Sequence, residues 1–478
     1  MRPRRLRAVA AAATAVVLSL PVAAHAALSA NNPAPRSAAA SAEVSGRCDA
    51  SYSAVGGTKA TECLQLKQQP LTELSAAQAT VVRQAVTRFS GSTLAAGTPP
   101  TPPAQCSFTQ ASENSSPLYL PHPDRFTSCI ATLHIATLYA SDGTTVVGNY
   151  QFADLAWASF SVSSVHWTHG LWVIPVPVSN PGQLAGGVSG SLFNGCGPVT
   201  SSPTQTICTA TGIDGTPAST NPLNLQLTPN SGYKLTWDES DTGAAGAVDI
   251  LDDTIGEFWL INGIPNASGE AENLPGSCDY EGSTLGAAAF AQGCVDERYV
   301  PTLVLPRSQY GSAATMIQWA QNNLQSHWGL HTGPGEYDGN PLRRMYNPDQ
   351  ASANRGVICP RSFPTLPGIG APFDTDSCDE YPFAATYESG ATVTGLGPAV
   401  TSGNQCVQAT AQKSTTGSTE PQVWNGIILG ANAGNTFANC IRGHIPLIEN
   451  SDVGTAYSTL IRTNRVLDND PFWIAVTQ

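Results

Sequence analysis

Twelve cysteines fall into six sequential couples, and this spacing constrains the fold more than any other feature of the 478-residue chain. The couples are Cys48/Cys63, Cys106/Cys129, Cys196/Cys208, Cys278/Cys294, Cys359/Cys378 and Cys406/Cys440. Six local bridges are expected, each closing a short loop and contributing about 2–4 kcal/mol. An even cysteine count suits a compartment where thiols oxidise, although spacing alone leaves the connectivity open. No Cys-x2-Cys pair occurs, which argues against structural zinc. The N-terminus agrees with an oxidising destination. Arg2, Arg4, Arg5 and Arg7 precede the apolar run Ala8–Leu20, and Ala24-His25-Ala26 offers a small-x-small cleavage site. Residues 1–26 therefore read as a secretory signal peptide, and the mature chain is expected outside the cell.

Charge and composition narrow the classes further. Twenty-two Lys and Arg stand against 35 Asp and Glu, and the formal charge of −13 becomes −17 once the four leader arginines are gone. Such a surface keeps the chain soluble and repels anions at long range. With 41% hydrophobic and 12% charged residues, the chain is no disordered polyelectrolyte. No run after the leader supplies the roughly 20 apolar residues of a membrane-spanning helix. Forty-four Gly and 36 Pro favour a loop-rich globular protein. There is no P-loop, dinucleotide fingerprint or Gly-x-Ser-x-Gly elbow, and His327 and His331 flank a glycine without the glutamate of a metalloprotease helix.

The pattern along the chain predicts a multidomain protein: an N-terminal β-rich, sandwich-like module followed by a C-terminal α+β domain. Residues 27–45 read as a disordered tether. Residues 46–105 read as a small helical, disulfide-bearing segment with a helix at Thr72–Phe89 and a Pro-rich linker at Gly97–Pro103. Residues 106–300 have strand texture, strongest at Ala131–Tyr139 and Val146–Phe160, with turns at Asp142-Gly143, Asp214-Gly215 and Asn230-Ser231-Gly232. The C-terminal domain spans residues 301–478. There Ser312 is expected to cap a helix running to Trp328, another helix lies within Val453–Leu467, and Phe472–Val476 is a terminal strand.

The stretch Cys378-Asp-Glu-Tyr-Pro-Phe-Ala-Ala-Thr-Tyr-Glu-Ser-Gly390 carries the chemistry. Adjacent acids on a strand point to opposite faces, so only one of Asp379 and Glu380 enters a given site. Carboxylates suit hard cations such as Mg2+ and Mn2+, and one can serve as a general base. On residue type alone, Asn450 has a structural alternative as the cap of a helix starting near Ser451, and Glu449 reads as a solvated acid.

This stretch resembles the signature of the NucA/NucB family of secreted bacterial deoxyribonucleases. Flanking matches follow in order: Leu342-Arg343-Arg344, Asn354-Arg355 and Cys359-Pro360 upstream, then Ile445-Pro446-Leu447-Ile448-Glu449-Asn450 and Arg465-Val-Leu-Asp-Asn-Asp470 downstream. The resemblance spans about residues 310–478. It implies a secreted, metal-dependent, largely sequence-nonspecific endonuclease that hydrolyses extracellular DNA with Mg2+ or Mn2+. Carried over residue by residue, it implies Asp379, Glu380 and Arg355 as catalytic groups. Asp379, Glu388 and Asn450 become metal ligands, and Arg355 and Arg344 substrate-binding cations. Two alternatives accompany this reading: a surface- or matrix-binding protein with an inactive nuclease-like domain, and a nuclease toxin delivered by its N-terminal module. That module is the candidate binder of a surface glycan or protein. Because cations are few, DNA binding is expected to be weak, and it is expected to be salt-sensitive; an affinity that stays flat between low and moderate salt in a filter-binding titration would refute the electrostatic account.

Overall fold

The computed structural model describes residues 62–71, 74–90, 102–106, 123–140, 142–198, 208–210, 223–241, 248–261, 264–274, 276–280, 285, 291–333, 335, 337–371, 374–392, 399–413 and 424–478. The leader, the tether, the Asp214-Gly215 turn and most of the Pro-rich linker lie outside them. So do Cys48 and the side chains of Cys63, Cys196 and Cys208. The other four couples are bridged as expected: Cys106–Cys129, Cys278–Cys294, Cys359–Cys378 and Cys406–Cys440.

The first part is built of β1 (Glu62–Pro70), α1 (Ala76–Ser90), β2 (Thr127–Ala140), β3 (Val146–Ser161), β4 (Ser164–Val176), β5 (Val188–Pro198) and β6 (Cys208–Ala210). It continues with β7 (Leu223–Leu227), β8 (Tyr233–Asp241), β9 (Val248–Ile261), β10 (Ile264–Asn273), β11 (Gly276–Asp279) and β12 (Gly293–Asp296). One sheet runs β1-β2-β3-β4-β8-β6 and the other β12-β11-β9-β5-β7, with β10 on β9. Buried side chains of both sheets, among them Leu138, Phe152, Trp237, Leu227 and Cys278, share one core. The opposite face of the first sheet buries Leu133, Leu155, Trp157 and Trp172 under Val82, Val86 and Phe89 of α1. Burial on both faces explains why β3 is buried without a break from Phe152 to Ala158 and lacks simple alternation there. Gly170 permits this packing, since a Cβ there would lie 1.9 Å from the Trp157 ring.

Helix α1 starts later than the sequence suggests because Ser75 and Gln78 form a capping box: the Ser75 N–H donates to Gln78 Oε1, and the Gln78 N–H to Ser75 Oγ. The segment before it is no helix. Glu62–Pro70 pairs along β2 from Glu62↔Ala140 to Pro70↔Thr132, extending the first sheet. This corrects the placement of Cys63. The sequence reading assigns Cys63 to a small helical segment and bridges it to Cys48, whereas its backbone lies on β1 opposite Tyr139. The physical reason is local alternation: Leu64 and Leu66 are separated by Gln65 and followed by Lys67, a period of two that suits a strand. Cys63 belongs to none of the four described bridges, and its expected link to Cys48 falls outside the described residues.

The second part comprises β13 (Thr302–Pro306), α2 (Arg307–Asn323), β14 (Leu342–Arg343), α3 (Pro348–Ile358) and β15 (Asp376–Tyr381). It ends with β16 (Val407–Lys413), β17 (Trp424–Leu429), β18 (Ile441–Pro446), α4 (Leu447–Thr463) and β19 (Pro471–Thr477). A three-stranded sheet runs β13-β19-β14 and a four-stranded mixed sheet β15-β18-β16-β17, which leaves β15 at an edge. Ala313, Ile317 and Ala320 of α2 share a core with Ala409, Ile441, Ile445 and Phe472. Helix α2 is kinked at Gly311 (φ 47°) and ends at Asn323, short of Trp328. Helix α4 begins right after Pro446, so Asn450 sits within its first turn and does not cap it.

Residues Ser41–Gln478 form one compact unit. Two buried arginines join the two parts. Arg465, fully buried, donates from Nη2 to Asp279 Oδ1 at 2.6 Å and from Nε to Oδ2 at 2.5 Å, while Nη1 reaches the Val162 carbonyl at 2.8 Å. Arg125 donates to Asp470 at 2.6 Å and to the carbonyls of Tyr299 and Asn464. Removing one partner of a buried pair strands the other charge. Asp279→Ala should therefore lower stability by about 3–5 kcal/mol, read as a lower denaturant midpoint for the full chain; an unchanged midpoint would show that the parts do not depend on this clasp.

Candidate functional site

Strand β15 presents the acids, and its register on β18 fixes where each points. Asp379 stands opposite Gly443 and Glu380 opposite Arg442. The pair therefore splits across the sheet, as alternation requires. A Cβ on Gly443 would meet Met316 Sδ at 2.9 Å, so the Asp379 face is the one covered by α2. The Glu380 face carries Arg442, which donates to the Ile358 carbonyl, Gln408 and Asn404. It also carries His444, whose Nδ1 lies 2.7 Å from Asp376 and whose ring packs on Phe363.

Asp379 is buried, and only one of its oxygens is satisfied. Oδ1 accepts the Glu380 N–H at 2.9 Å, while Oδ2 has no hydrogen-bond partner. Burial pushes this carboxyl up to about 8, with the neighbouring Glu380 charge adding to the shift; the Glu380 N–H and Arg355 pull the other way. Glu380 is likewise raised by burial and is countered by Arg355, whose Nε lies 3.4 Å from its Oε1. The Arg355 side chain is 64% exposed. It projects from the last turn of α3, where Cys359 closes the helix and bonds to Cys378, the residue before Asp379.

Asn450 lies over the same strand. Its Nδ2 donates to Ser377 Oγ at 3.2 Å and to the Cys378 carbonyl at 3.0 Å. Ser377 is two residues from Asp379 and on the same face, so Asn450 and Asp379 are neighbours across one pleat. Helix α4 is held there by Glu449, which the sequence reading left in solvent. Glu449 is buried, and its Oε2 accepts the N–H groups of Ser312 and Ala313 at 2.7 and 3.3 Å. It caps α2 beyond the kink in place of Ser312, whose hydroxyl is buried without a partner. Burial lifts the Glu449 carboxyl to about 7, against the pull of those two N–H groups.

Two expected site residues already have partners within the fold. Both Glu388 oxygens accept from Arg343, Oε2 from its backbone N–H at 2.7 Å and Oε1 from Nε at 2.8 Å. Arg344 is 6% exposed and donates from Nη1 to the Val466 carbonyl at 2.6 Å, which places it inside the fold and away from any substrate surface. Arg343, absent from the expected site, links Glu388 to Asn469 Oδ1 at 3.3 Å.

Among the described residues, no group of three or more His, Cys, Asp or Glu could hold a metal ion. The donor set nevertheless fits a hard divalent cation: an unpartnered carboxylate oxygen on Asp379 and a carboxamide on Asn450, whose NH2 group is already spent on the strand. Mg2+ commonly takes one or two protein oxygens and fills its remaining positions with water and phosphate.

Residues 329–421 match the family model described as Deoxyribonuclease NucA/NucB. The match bears out the resemblance for this C-terminal segment, which contains Arg355, Asp379, Glu380 and Glu388 and stops short of Asn450. No curated protein and no solved structure matches the chain. The raised Asp379 carboxyl has a thermodynamic consequence. Its folded value lies above the ordinary 3.8, so its contribution to stability is full below that value and is lost as pH rises towards about 8. Asp379→Asn should therefore melt higher than the parent at pH 9, by about 4 °C or more, and close to it at pH 4. Parallel melting curves across pH would refute the burial.

Proposed function

We propose that the C-terminal part of this chain hydrolyses phosphodiester bonds of DNA with the aid of a divalent cation, Mg2+ or Mn2+. The observation that carries the reading is Asp379, a buried carboxylate with one unpartnered oxygen at the centre of the segment that matches a deoxyribonuclease family. In this mechanism Asp379 Oδ2 accepts the proton of the attacking water, general-base work that contributes about 10²–10⁴-fold. Arg355, exposed and steadied by Glu380, meets the phosphate and its growing negative charge. Asn450 offers its carboxamide oxygen beside Asp379. The bound ion would neutralise phosphate charge and acidify water. A cation nearby also favours the ionised form of Asp379, against the burial that raises it.

The four described bridges support work in an oxidising compartment, and no described helix is long and apolar enough to cross a membrane. DNA outside the cell is the substrate this reading assigns. Full-length protein with Mg2+ or Mn2+ should nick and degrade plasmid, chelation should stop it, and readded ion should restore it. Asp379→Asn should lower the rate by about 10²–10⁴-fold. Plasmid left intact by folded, ion-loaded protein would end the proposal.

A further inference from the structure

An open cleft of about 460 Å³ lies between the start of α1 and the first sheet, on the face turned away from the sandwich core. Buried Val82, Leu133 and Val176 form its floor, with Val81 on one wall and residues 177–180 on the other. Strand register places the polar groups. Gln151 stands opposite Ile135 on β2 and Val176 on β4, and Asn149 opposite Thr137, so both side chains share the Leu133 face. Both are half-buried, and among the described residues neither carboxamide has a hydrogen-bond partner. Gln78 also lines the cleft, but its carboxamide is already spent: Oε1 accepts from Ser75, and Nε2 donates to Gln69 Oε1 at 3.4 Å. The 177–180 wall is pinned to β3 just beyond its end. The Asn149 N–H donates to the Pro181 carbonyl at 3.1 Å, and the Gln183 N–H to the Val147 carbonyl at 2.9 Å. Gly182 permits that approach, being left-handed (φ 52°) where a Cβ would lie 2.2 Å from the Val147 carbonyl oxygen. The cleft is thus preformed, which lowers the ordering cost of binding.

We propose that this cleft binds a neutral saccharide and that the β-rich part thereby holds the chain to a glycan. The inference stands independently of the nuclease reading. A half-buried carboxamide without a partner is costly until a ligand or water completes it. Each carboxamide sets a donor beside an acceptor, which suits neighbouring hydroxyls that both donate and accept. The aliphatic floor suits the C–H face of a sugar ring, in the mixture of apolar lining and few polar groups that ligand sites share. None of the described residues lining the cleft is charged. A phosphate, uronate or amine would therefore lose hydration here without gaining a countercharge. The chain's formal charge of −13 also turns anionic surfaces away. A peptide fits less well, because β3 is paired on both sides here and offers no open edge for an added strand.

The test titrates full-length protein by calorimetry with maltohexaose, cellohexaose, laminarihexaose and N-acetylchitohexaose. Hexagalacturonate and an acetylated, amidated Gly-Ser peptide serve as contrasts. At least one neutral sugar should bind, with hexagalacturonate weaker by about tenfold or more. Its affinity should be the same in low and high salt, since no ion pair is made. The double variant Asn149→Ala, Gln151→Ala should weaken it by about tenfold or more. Val81→Arg, at an exposed position on α1, should obstruct the cleft and abolish binding. Denaturant midpoints equal to the parent's separate lost contacts from lost fold, and if the double variant does not fold, Val81→Arg decides. Absence of binding by all four sugars, undiminished binding by folded variants, or tighter binding of the peptide or the uronate would overturn the proposal.

Discussion

The Glu449 carboxylate, gripping the amides of Ser312 and Ala313, is the contact on which the C-terminal architecture turns. It does three things at once. It satisfies donors that the kink at Gly311 would otherwise strand at the start of a buried helix. It fixes the rotation of α4 against α2, so that the next residue, Asn450, falls onto β15. It also places a second negative charge within range of Asp379, which helps to keep that carboxyl protonated in the folded chain. A charge-assisted cap of this kind is stronger than a neutral one, and its removal would leave buried N–H groups unpaired.

A second line of contacts runs through the turn at residues 464–470. Asp470 binds Arg125 and the Leu467 N–H, and its carbonyl accepts the Arg344 N–H. Asn469, in the left-handed region at φ 68°, accepts from Arg343, and Asp468 accepts the Tyr346 N–H and the Tyr387 hydroxyl. Arg343 in turn holds Glu388. The turn after α4 thus organises the loop that follows β15 and is itself tied to the β-rich part through Arg125 and Arg465.

Much of this was legible in the sequence, and the failures are instructive. Alternation alone sent Asp379 and Glu380 to opposite faces. The sequential cysteine couples matched all four described bridges. β-branched and aromatic texture placed β2 and β3 within a few residues. The strand at Glu62–Pro70, with Cys63 on it, was hidden because its partner, β2, begins more than 50 residues later. The alternation around Leu64 and Leu66 is too brief to announce that pairing. Glu449 was misread because the helix was started after Asn450, although Pro446 with its φ preset for a helix entry marks the true beginning. Arg344 and Glu388 carry the residue types of a phosphate and metal site. Arg344 is held by the Val466 carbonyl, more than 100 residues away in sequence, and Glu388 by Arg343, 45 residues before it, and composition says nothing of either distance.

The Cys359–Cys378 bridge joins the end of the helix bearing Arg355 to the residue before Asp379. The separation of guanidinium from carboxylate is therefore set by a covalent staple whose existence depends on surroundings. A freshly made chain in a thiol-rich cytoplasm lacks that staple. The alignment of the two groups is thus sensitive to the redox state of the surroundings, since reducing one bond would free the end of the Arg355 helix from the strand that carries Asp379.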